Sequence, residues 1–188
     1  MSSCTIVGFA GNITRPSKTR SFVEDVVGQA AGLFDLSASV FDVTDLGPSF
    51  PSARREDDLD EAAKTWLRAI AAADLLVVGS PTYKGSYTGL FKHFFDLLDP
   101  AALRGKPVIL VATGGGDRHA LIVEHQLRPL FGFFEAFALP TAIYAADRDF
   151  SNGELVSPGI RQRVSQAIGE AGRALAISAG HEIPIAAE

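Results

Sequence analysis

Residues 75–92 read LLVVGSPTYKGSYTGLFK, which is an apolar run followed by a polar turn and then by an amphipathic segment. The run Leu75–Gly79 is short and rich in branched residues, as in a strand that is buried on both faces. The turn Ser80–Gly89 contains Pro81 and Gly85, which shape such connections. After it, apolar residues recur at helical spacing, at Leu90, Phe91, Phe94, Phe95 and Leu98. The segment therefore predicts a strand, a polar loop and a core-facing helix in succession.

The same alternation of strand-like and helical segments extends over the rest of the chain. Four further runs rich in Val, Ile and Leu fit strands, at Cys4–Phe9, Ala38–Val43, Val108–Ala112 and Ala138–Tyr144. Helical stripes lie between Phe22 and Phe34 and between Ile160 and Leu175. Such alternation favours a parallel sheet covered on both faces. We therefore predict a three-layer α/β sandwich with a five-stranded parallel sheet in the order 2-1-3-4-5.

Length and composition are those of one compact domain. The chain has 188 residues, of which 47% are hydrophobic, so it can bury a sizeable core. We expect a single domain over residues 1–180 and a C-terminal tail at 181–188. The 17 basic and 22 acidic residues are interspersed, which favours neither nucleic acid nor a membrane as a partner. Without a signal-like start or a long apolar segment, the expected location is the cytoplasm.

The chain has one cysteine, Cys4, which lies in an apolar run. We expect it to be a small buried side chain rather than a nucleophile or a metal ligand. One cysteine excludes an internal disulfide or zinc framework, and no metal is expected.

The loop after the first strand is the first candidate binding element, because ligands of open parallel sheets bind beyond the carboxyl ends of the strands. This loop, Gly11–Arg20, is rich in hydroxyl and basic side chains and opens a helix, whose N-terminal N–H groups favour a phosphate. Ser17 and Thr19 are candidate donors and Arg15 a candidate charge partner, although an N-cap role explains Ser17 equally well. The other polar candidates in the loop are Asn12, Thr14 and Lys18. The loop matches neither the P-loop nor the G-x-G-x-x-G signature.

Two more polar loops follow the third and fourth strands. Ser80–Gly89 offers backbone donors and two tyrosines to a flat aromatic ligand, although Tyr83 and Tyr87 could equally cover helix ends. Thr113–Gly116 contains three successive glycines, which let a ring approach the main chain closely but would also suit a flexible turn. In the predicted strand order the three loops share one edge of the sheet. The candidate ligand contacts in these two loops are Pro81, Thr82, Tyr83, Lys84, Gly85, Ser86, Thr113, Gly114, Gly115 and Gly116.

These residues resemble those of the NAD(P)H-dependent FMN reductase family, whose members have a flavodoxin-like fold. The most specific part of the similarity is the segment 79–92, and Ala112–Gly115 follows it at the expected distance. The chain looks closest to the flavin reductases of two-component alkanesulfonate and methanesulfonate monooxygenases. The resemblance implies FMN as a cofactor, with its phosphate on Arg15, Ser17 and Thr19, and NADPH or NADH as the reductant. It also implies that Pro81–Ser86 wraps the ribityl chain and ring, that Thr113–Gly116 borders the pyrimidine side of the ring, and that reduced flavin is released to a partner monooxygenase.

The helix expected over residues 118–137 carries apolar residues on more than one face, which suggests a subunit interface in a homodimer or homotetramer. In the sulfonate-linked reductases this helix often contains a tyrosine inserted in a π-type bulge, and by resemblance His125 takes its place. Pro129 cannot donate a hydrogen bond to the carbonyl of residue 125, so a kink is predicted there. His125 is a candidate for the interface or for flavin exchange.

The resemblance implies hydride transfer from nicotinamide C4 to flavin N5, a reaction that belongs to the cofactors, so no catalytic residue is assigned. Three alternatives remain open. The chain could be an azo or quinone reductase with bound FMN, or a flavodoxin-type electron carrier, although the near balance of charge disfavours a carrier. A non-flavin interaction protein is the third. The choice between NADH and NADPH is also open, since the candidates for a 2′-phosphate partner are equally plausible surface charges: Arg15, Arg54, Arg55 and Arg118.

Overall fold

A computed structural model describes residues 4–178 and centres on a parallel sheet. Its six strands are β1 (Thr5–Ala10), β2 (Ser37–Asp42), β3 (Leu75–Pro81), β4 (Pro107–Gly114), β5 (Phe137–Ala138) and β6 (Ile143–Ala146). The strands lie in the order β2-β1-β3-β4, and both β5 and β6 pair with β4. The predicted parallel order 2-1-3-4-5 is therefore confirmed, with the fifth strand in two pieces.

The fifth strand differs from the single run predicted at Ala138–Tyr144. Pro140 has no N–H and cannot take part in the ladder as a donor. The N–H of Thr141 donates instead to a carboxylate oxygen of Glu170 at 2.8 Å. These two residues take the chain away from β4 before pairing resumes in β6.

Helices cover both faces of the sheet, which confirms the predicted three-layer sandwich. The α-helices of the described residues are α1 (Lys18–Phe34), α2 (Glu61–Ala72), α3 (Gly89–Asp96), α4 (Arg128–Phe133) and α5 (Pro158–Ser178). Helices α1 and α5 pack on one face, and α2, α3 and α4 pack on the other. Helix α2 was not predicted from the sequence. Its start is nevertheless encoded locally, because the Asp60 carboxylate accepts a hydrogen bond from the Ala63 N–H at 3.1 Å.

An aromatic cluster fixes α3 beneath the carboxyl edge of the sheet. The Phe9 ring stacks on Phe41 with centroids 4.6 Å apart and on Phe91 with centroids 5.4 Å apart. All three rings are fully buried. A Cβ at Gly11 would lie 2.6 Å from the Phe91 ring, so the loop after β1 passes directly over this ring and requires glycine. The core therefore determines where the first loop lies.

Cys4 is exposed, so the expectation of a buried cysteine is wrong. The residue precedes β1, and full burial of the strand begins only at Ile6. Cys4 is thus the one residue of the predicted run that lies outside β1.

Within residues 4–178, none of the helices combines the length and the apolar character needed to cross a bilayer. The domain boundary expected at residue 180 and the tail at 181–188 lie outside the described residues.

Candidate functional site

Hydrogen bonds join the loops after β1, β3 and β4 at the carboxyl edge of the sheet. The Gly11 N–H donates to the Gly79 carbonyl at 2.7 Å, and the Thr88 hydroxyl donates to the Gly11 carbonyl at 2.7 Å. The Thr82 N–H donates to the Thr113 carbonyl, also at 2.7 Å. The three loops predicted to share one edge of the sheet are therefore in direct contact, held by main-chain hydrogen bonds and by the Thr88 hydroxyl.

The first loop ends at the N-terminus of α1, where the N–H groups of the first turn lack helical acceptors. Ser17 is the N-cap, and its hydroxyl accepts from the Arg20 N–H at 3.3 Å. Ser17 therefore has the N-cap role that was one of its two predicted roles. Thr19 is buried, and its hydroxyl lies 2.7 Å from the hydroxyl of Thr113. This contact ties the start of α1 to the third loop.

Arg15 is held by two carboxylates of the segment that follows β2. Its Nε lies 2.7 Å from Asp42 Oδ2, and its Nη2 lies 2.5 Å from Asp45 Oδ2. Arg20 Nη1 contacts the same two oxygens at 3.0 and 2.7 Å. Burial alone would raise the pKa of Asp42, but hydrogen bonds from Arg15 and Thr44 hold that pKa well below its usual range. The predicted phosphate partner Arg15 is thus already engaged in an ion pair.

Asn12 lies in the same network and is 3% exposed. Its Nδ2 donates to the Thr14 carbonyl at 3.1 Å and to Asp42 Oδ2 at 3.0 Å. Its Oδ1 is the one buried side-chain nitrogen or oxygen within residues 4–178 that has no hydrogen-bond partner. Both neighbours of Nδ2 are oxygen acceptors, so exchanging the two amide atoms would not satisfy the group. An unpaired buried acceptor is costly, and a donor on a bound molecule would relieve that cost.

The second loop contains a two-residue hairpin turn. Tyr83 and Ser86 exchange backbone hydrogen bonds of 2.8 and 3.2 Å. Between them, Lys84 and Gly85 both have positive φ, at 53° and 88°, as a type I′ turn requires. The Ser86 hydroxyl donates to Gln126 Oε1 at 3.1 Å and so ties the turn to the segment before α4. The Tyr83 side chain is half exposed at the rim.

The glycines of the third loop have different surroundings. A Cβ at Gly114 would lie 2.4 Å from the Tyr144 hydroxyl, so any other residue here would displace the Tyr144 side chain. That hydroxyl donates to the Gly116 carbonyl at 2.7 Å and braces the loop from β6. A Cβ at Gly115 or Gly116 would meet nothing within 4 Å. A flat group can therefore approach the main chain at these two residues.

An open cavity of about 630 Å³ lies between the second and third loops. Its lining residues are Thr82, Lys84, Gly85, Gly115, Gly116, Arg118 and His119. None of the first-loop candidates lines it, so the structure places the start of α1 beside this cavity rather than within its wall. A larger cavity of about 810 Å³ lies between α1, α5 and the connection after β6, and it contains none of the predicted site residues. Because predicted site residues line only the smaller of these two cavities, the smaller one is the candidate binding site for the ring.

The connection after β6 braces both the first and the third loop. It folds into a hairpin of two short antiparallel strands, β7 (Phe150–Ser151) and β8 (Glu154–Leu155). Just before the hairpin, Asp147 pairs with Lys18 of α1 at 2.9 Å. Arg148 pairs with Asp117, which follows the third loop, at 2.6 Å. Lys18, a predicted phosphate contact, is thus also paired with a carboxylate.

His125 lies in a π-helix at Val123–Leu127. The Arg128 N–H donates to the Val123 carbonyl, five residues back, which confirms the disturbed helix predicted from Pro129 and the π-type bulge that the resemblance places at His125. The helix expected over 118–137 is shorter, however: helical structure continues from Val123 only to Phe133, and Phe137 lies in β5. His125 lines a small cavity that reaches the second-loop turn and also an apolar groove of about 530 Å³ along α4. His125 therefore belongs to the segment expected to form the subunit interface and also reaches the candidate site.

Some residues of the site were not predicted. Asp42 and Asp45 hold the arginines, and the local sequence signal for them is their D-x-x-D spacing after a strand. Thr88 caps α3 by accepting from the Phe91 N–H, a role that a threonine before an apolar helical stripe suggests. Tyr144 gave no comparable local signal.

The strand order, with the candidate site at the carboxyl edge, defines a flavodoxin-like α/β protein. The apo form of the NADH:FMN oxidoreductase EMOB has this architecture: its TM-score is 0.80 with 30% identity, over 96% of this chain and 92% of that one. The NADH-dependent FMN reductase SfnF of Pseudomonas putida is 40% identical over 182 residues, which cover 96% of this chain and 95% of SfnF. An FMN reductase (NADPH) of Pseudomonas aeruginosa is 40% identical over 159 residues, which cover 85% and 86% of the two chains.

Residues 4–151 match the NADPH-dependent FMN reductase family, and the chain belongs to this family. It is an NAD(P)H-dependent FMN reductase, an oxidoreductase that uses FMN and a nicotinamide cofactor.

The residues at the three loops fit FMN. The N-terminus of α1 suits the phosphate, because its free N–H groups and partial positive charge favour an anion. The unpaired Oδ1 of Asn12 suits a hydroxyl donor such as those of a ribityl chain. The open approach to Gly115 and Gly116 suits a flat ring.

Proposed function

We propose that FMN binds across the three loops and that the reduced flavin passes to a partner monooxygenase in sulfonate desulfonation. In this proposal the phosphate lies at the N-terminus of α1 and the ring lies in the cavity between the second and third loops. The observation that carries it is the direct hydrogen bonding of the loops around that cavity, from Thr88 to Gly11 and from Thr82 to Thr113. The residues assigned to FMN are Asn12, Thr14, Arg15, Ser17, Lys18, Thr19, Pro81, Thr82, Tyr83, Lys84, Gly85, Ser86, Thr113, Gly114, Gly115 and Gly116.

FMN, when bound, supplies the ring nitrogen that accepts a hydride from the nicotinamide. The residues of the chain bind and orient the two cofactors. The rigid turn at Lys84 and Gly85 fixes one wall of the ring cavity, and the braced main chain at Gly115 and Gly116 fixes the other. Because glycines form part of both walls, orientation depends on loop geometry rather than on a single acid or base.

The basic side chains of the cavity wall suit the phosphates of the dinucleotide. Of the four arginines considered for a 2′-phosphate, Arg118 alone lines this cavity. Arg15 is assigned to the FMN phosphate, and Arg55 lies 3.5 Å from Asp58. We therefore assign the discrimination between NADPH and NADH to Arg118.

The solvent exposure of the site supports release of the reduced flavin rather than its retention. Its walls are exposed turns, and the tyrosine at its rim is 46% exposed. The sulfonate link is supported by the likeness to SfnF and by the π-helix at His125. We assign His125 to the communication between flavin site and interface. A quinone or azo compound would use the same cavity, but the FMN would then stay bound during turnover.

Self-association is proposed through the segment 118–137. Leu121 and Phe133 are 62% and 67% exposed there, and Phe137 is 49% exposed. Apolar exposure on this scale in one segment is typical of a subunit interface. The cytoplasmic location stays a prediction.

Anaerobic mixing tests the function directly. The protein is mixed with FMN and with NADH or NADPH, flavin absorbance is followed, and the sample is then passed through an ultrafilter without oxygen. We expect the flavin band to bleach and the reduced flavin to pass through the filter. Reduced flavin that stays on the protein, together with faster turnover of a quinone, would favour the azo or quinone reductase. Unchanged flavin absorbance with both nucleotides would favour an electron carrier.

A further inference from the structure

Two arginines and two aspartates form a closed network beside the N-terminus of α1. Arg15 and Arg20 each contact both Asp42 and Asp45. The formal charges of the four side chains cancel. A phosphate at this loop therefore meets arginines whose charge is already balanced by carboxylates.

The two arginines are held to different extents. The Arg20 side chain is 22% exposed, and a third carboxylate, Glu24, contacts its Nε at 2.8 Å. The Arg15 side chain is 44% exposed and has no acidic partner in the described ion pairs beyond Asp42 and Asp45. Arg15 is thus the arginine that can turn towards an anion.

The two carboxylates also differ. Asp42 is fully buried and accepts hydrogen bonds from Asn12 and Thr44 besides the arginines, so it is part of the fold. Asp45 is 29% exposed, and its Oδ2 accepts from both arginines and from the Asp42 N–H at 3.0 Å. Asp45 is therefore the carboxylate that competes with a solvent-borne anion for Arg15.

We infer that Asp45 sets the affinity for the flavin phosphate by competing with it for the Arg15 guanidinium, which keeps FMN exchangeable. The inference rests on the proposed position of the FMN phosphate. Phosphate and carboxylate oxygens need the same guanidinium donors, and their negative charges repel each other. The unpaired Asn12 Oδ1, in contact with the same network through Nδ2, is a second feature that assigns a ligand to this loop.

The competition acts on the phosphate only, so riboflavin, which lacks it, is the diagnostic ligand. Asp45→Asn removes the charge but keeps an oxygen that can accept from the Asp42 N–H. Dissociation constants for FMN and riboflavin are measured by the quenching of flavin fluorescence. We expect FMN to bind about tenfold more tightly to Asp45→Asn, while riboflavin binding stays unchanged.

Asp58→Asn is the matched control. Asp58 also accepts from backbone N–H groups and pairs with an arginine, Arg55, but it is not part of the network. This variant should leave the affinities for both flavins unchanged. Each ratio of FMN to riboflavin affinity comes from a single protein sample, so a fraction of unfolded protein lowers both signals equally.

Arg15→Gln tests the route of the effect. This substitution should weaken FMN binding without affecting riboflavin, and Asp45→Asn should give a clearly smaller gain when added to it, because only the direct charge repulsion is then relieved. An unchanged or lower FMN preference in Asp45→Asn, or a full gain in the Arg15→Gln background, would overturn the inference while leaving the phosphate site in place. Equal affinity of the wild-type protein for FMN and riboflavin would instead contradict the phosphate site, and the inference with it.

Discussion

The hydroxyl groups of Thr19 and Thr113 lie 2.7 Å apart in the protein interior and join the start of α1 to the third loop. Replacing either residue with valine leaves the other hydroxyl buried without this partner. We expect each single variant to lose about 1–3 kcal/mol of unfolding free energy, measured by urea denaturation.

The double variant distinguishes a lost pair from two independent losses. With both hydroxyls replaced, no unpaired group remains, so Thr19→Val with Thr113→Val should be more stable than the sum of the single effects predicts. Thr65→Val is a suitable control, because the Thr65 hydroxyl bonds to the Glu61 carbonyl at an exposed position. Additive losses would show that the two hydroxyls act separately.

Neighbouring glycines of the third loop should respond differently to alanine. Gly114→Ala forces its Cβ against the Tyr144 hydroxyl, so we expect a clear loss of thermal stability. Gly115→Ala meets no protein atom within 4 Å and should fold normally but bind FMN less tightly, because its methyl group occupies the approach of the ring. Calorimetric titration with FMN and thermal unfolding measure the two effects. Normal FMN binding by Gly115→Ala would place the ring elsewhere.

Acid should destabilise the protein through the aspartates beside α1. Burial raises and hydrogen bonds lower the pKa values of Asp42 and Asp45, and the net result is a pKa below the usual range for both. A carboxyl with a depressed pKa in the folded state stabilises the fold above its unfolded pKa of about 4, and this contribution is lost as the pH falls through the folded pKa. Unfolding free energy should therefore fall as the pH drops below about 4. In Asp45→Asn we expect a lower value at neutral pH and a shallower fall; an equally steep fall would assign the acid sensitivity to other groups.

The segment 118–137 should control self-association. Phe133 is 67% exposed, and Phe133→Glu places a charge on this apolar surface. Sedimentation velocity should show smaller particles for this variant than for the wild-type protein. Leu33→Glu on α1 is the matched control, since Leu33 is 68% exposed outside the segment, and it should leave the association state unchanged. Smaller particles for Leu33→Glu and an unchanged size for Phe133→Glu would instead assign the interface to α1.

Nucleotide preference should depend on Arg118. Arg118→Gln removes a positive charge from the cavity wall. We expect the KM for NADPH to rise roughly tenfold, because a charge-assisted contact to the 2′-phosphate is lost, and the KM for NADH to rise much less. Arg54→Gln lies outside that wall and should change neither value. Equal increases for both nucleotides would indicate a contact with the shared pyrophosphate.

Local patterns predict most of the architecture. The apolar runs at β1, β3 and β4 and the polar residues after them specify three strands and three loops, and the parallel order then places the loops together. The glycines and Pro129 act through backbone geometry, which is local, so the turns and a disturbed helix near Pro129 were also predictable; the π form of that helix was expected only from the family resemblance.

Pairings between distant residues were not predictable in the same way. Arg15 and its carboxylates are separated by about thirty positions, and only the fold shows that they meet. The interruption of the fifth strand depends on Glu170, far along the chain in α5, which accepts the Thr141 N–H. The exposure of Cys4 depends on where the sheet begins, which hydrophobicity alone does not specify.

The break between β5 and β6 also affects how the protein behaves at high concentration. A continuous outer strand offers a row of unsatisfied N–H and carbonyl groups on which another molecule can build, the first step of aggregation. Here Pro140 withdraws a donor and Thr141 turns its N–H inwards, so that side of the sheet presents only two short fragments. At high concentration, a strand of another molecule therefore finds no continuous edge to pair with on this side of the sheet.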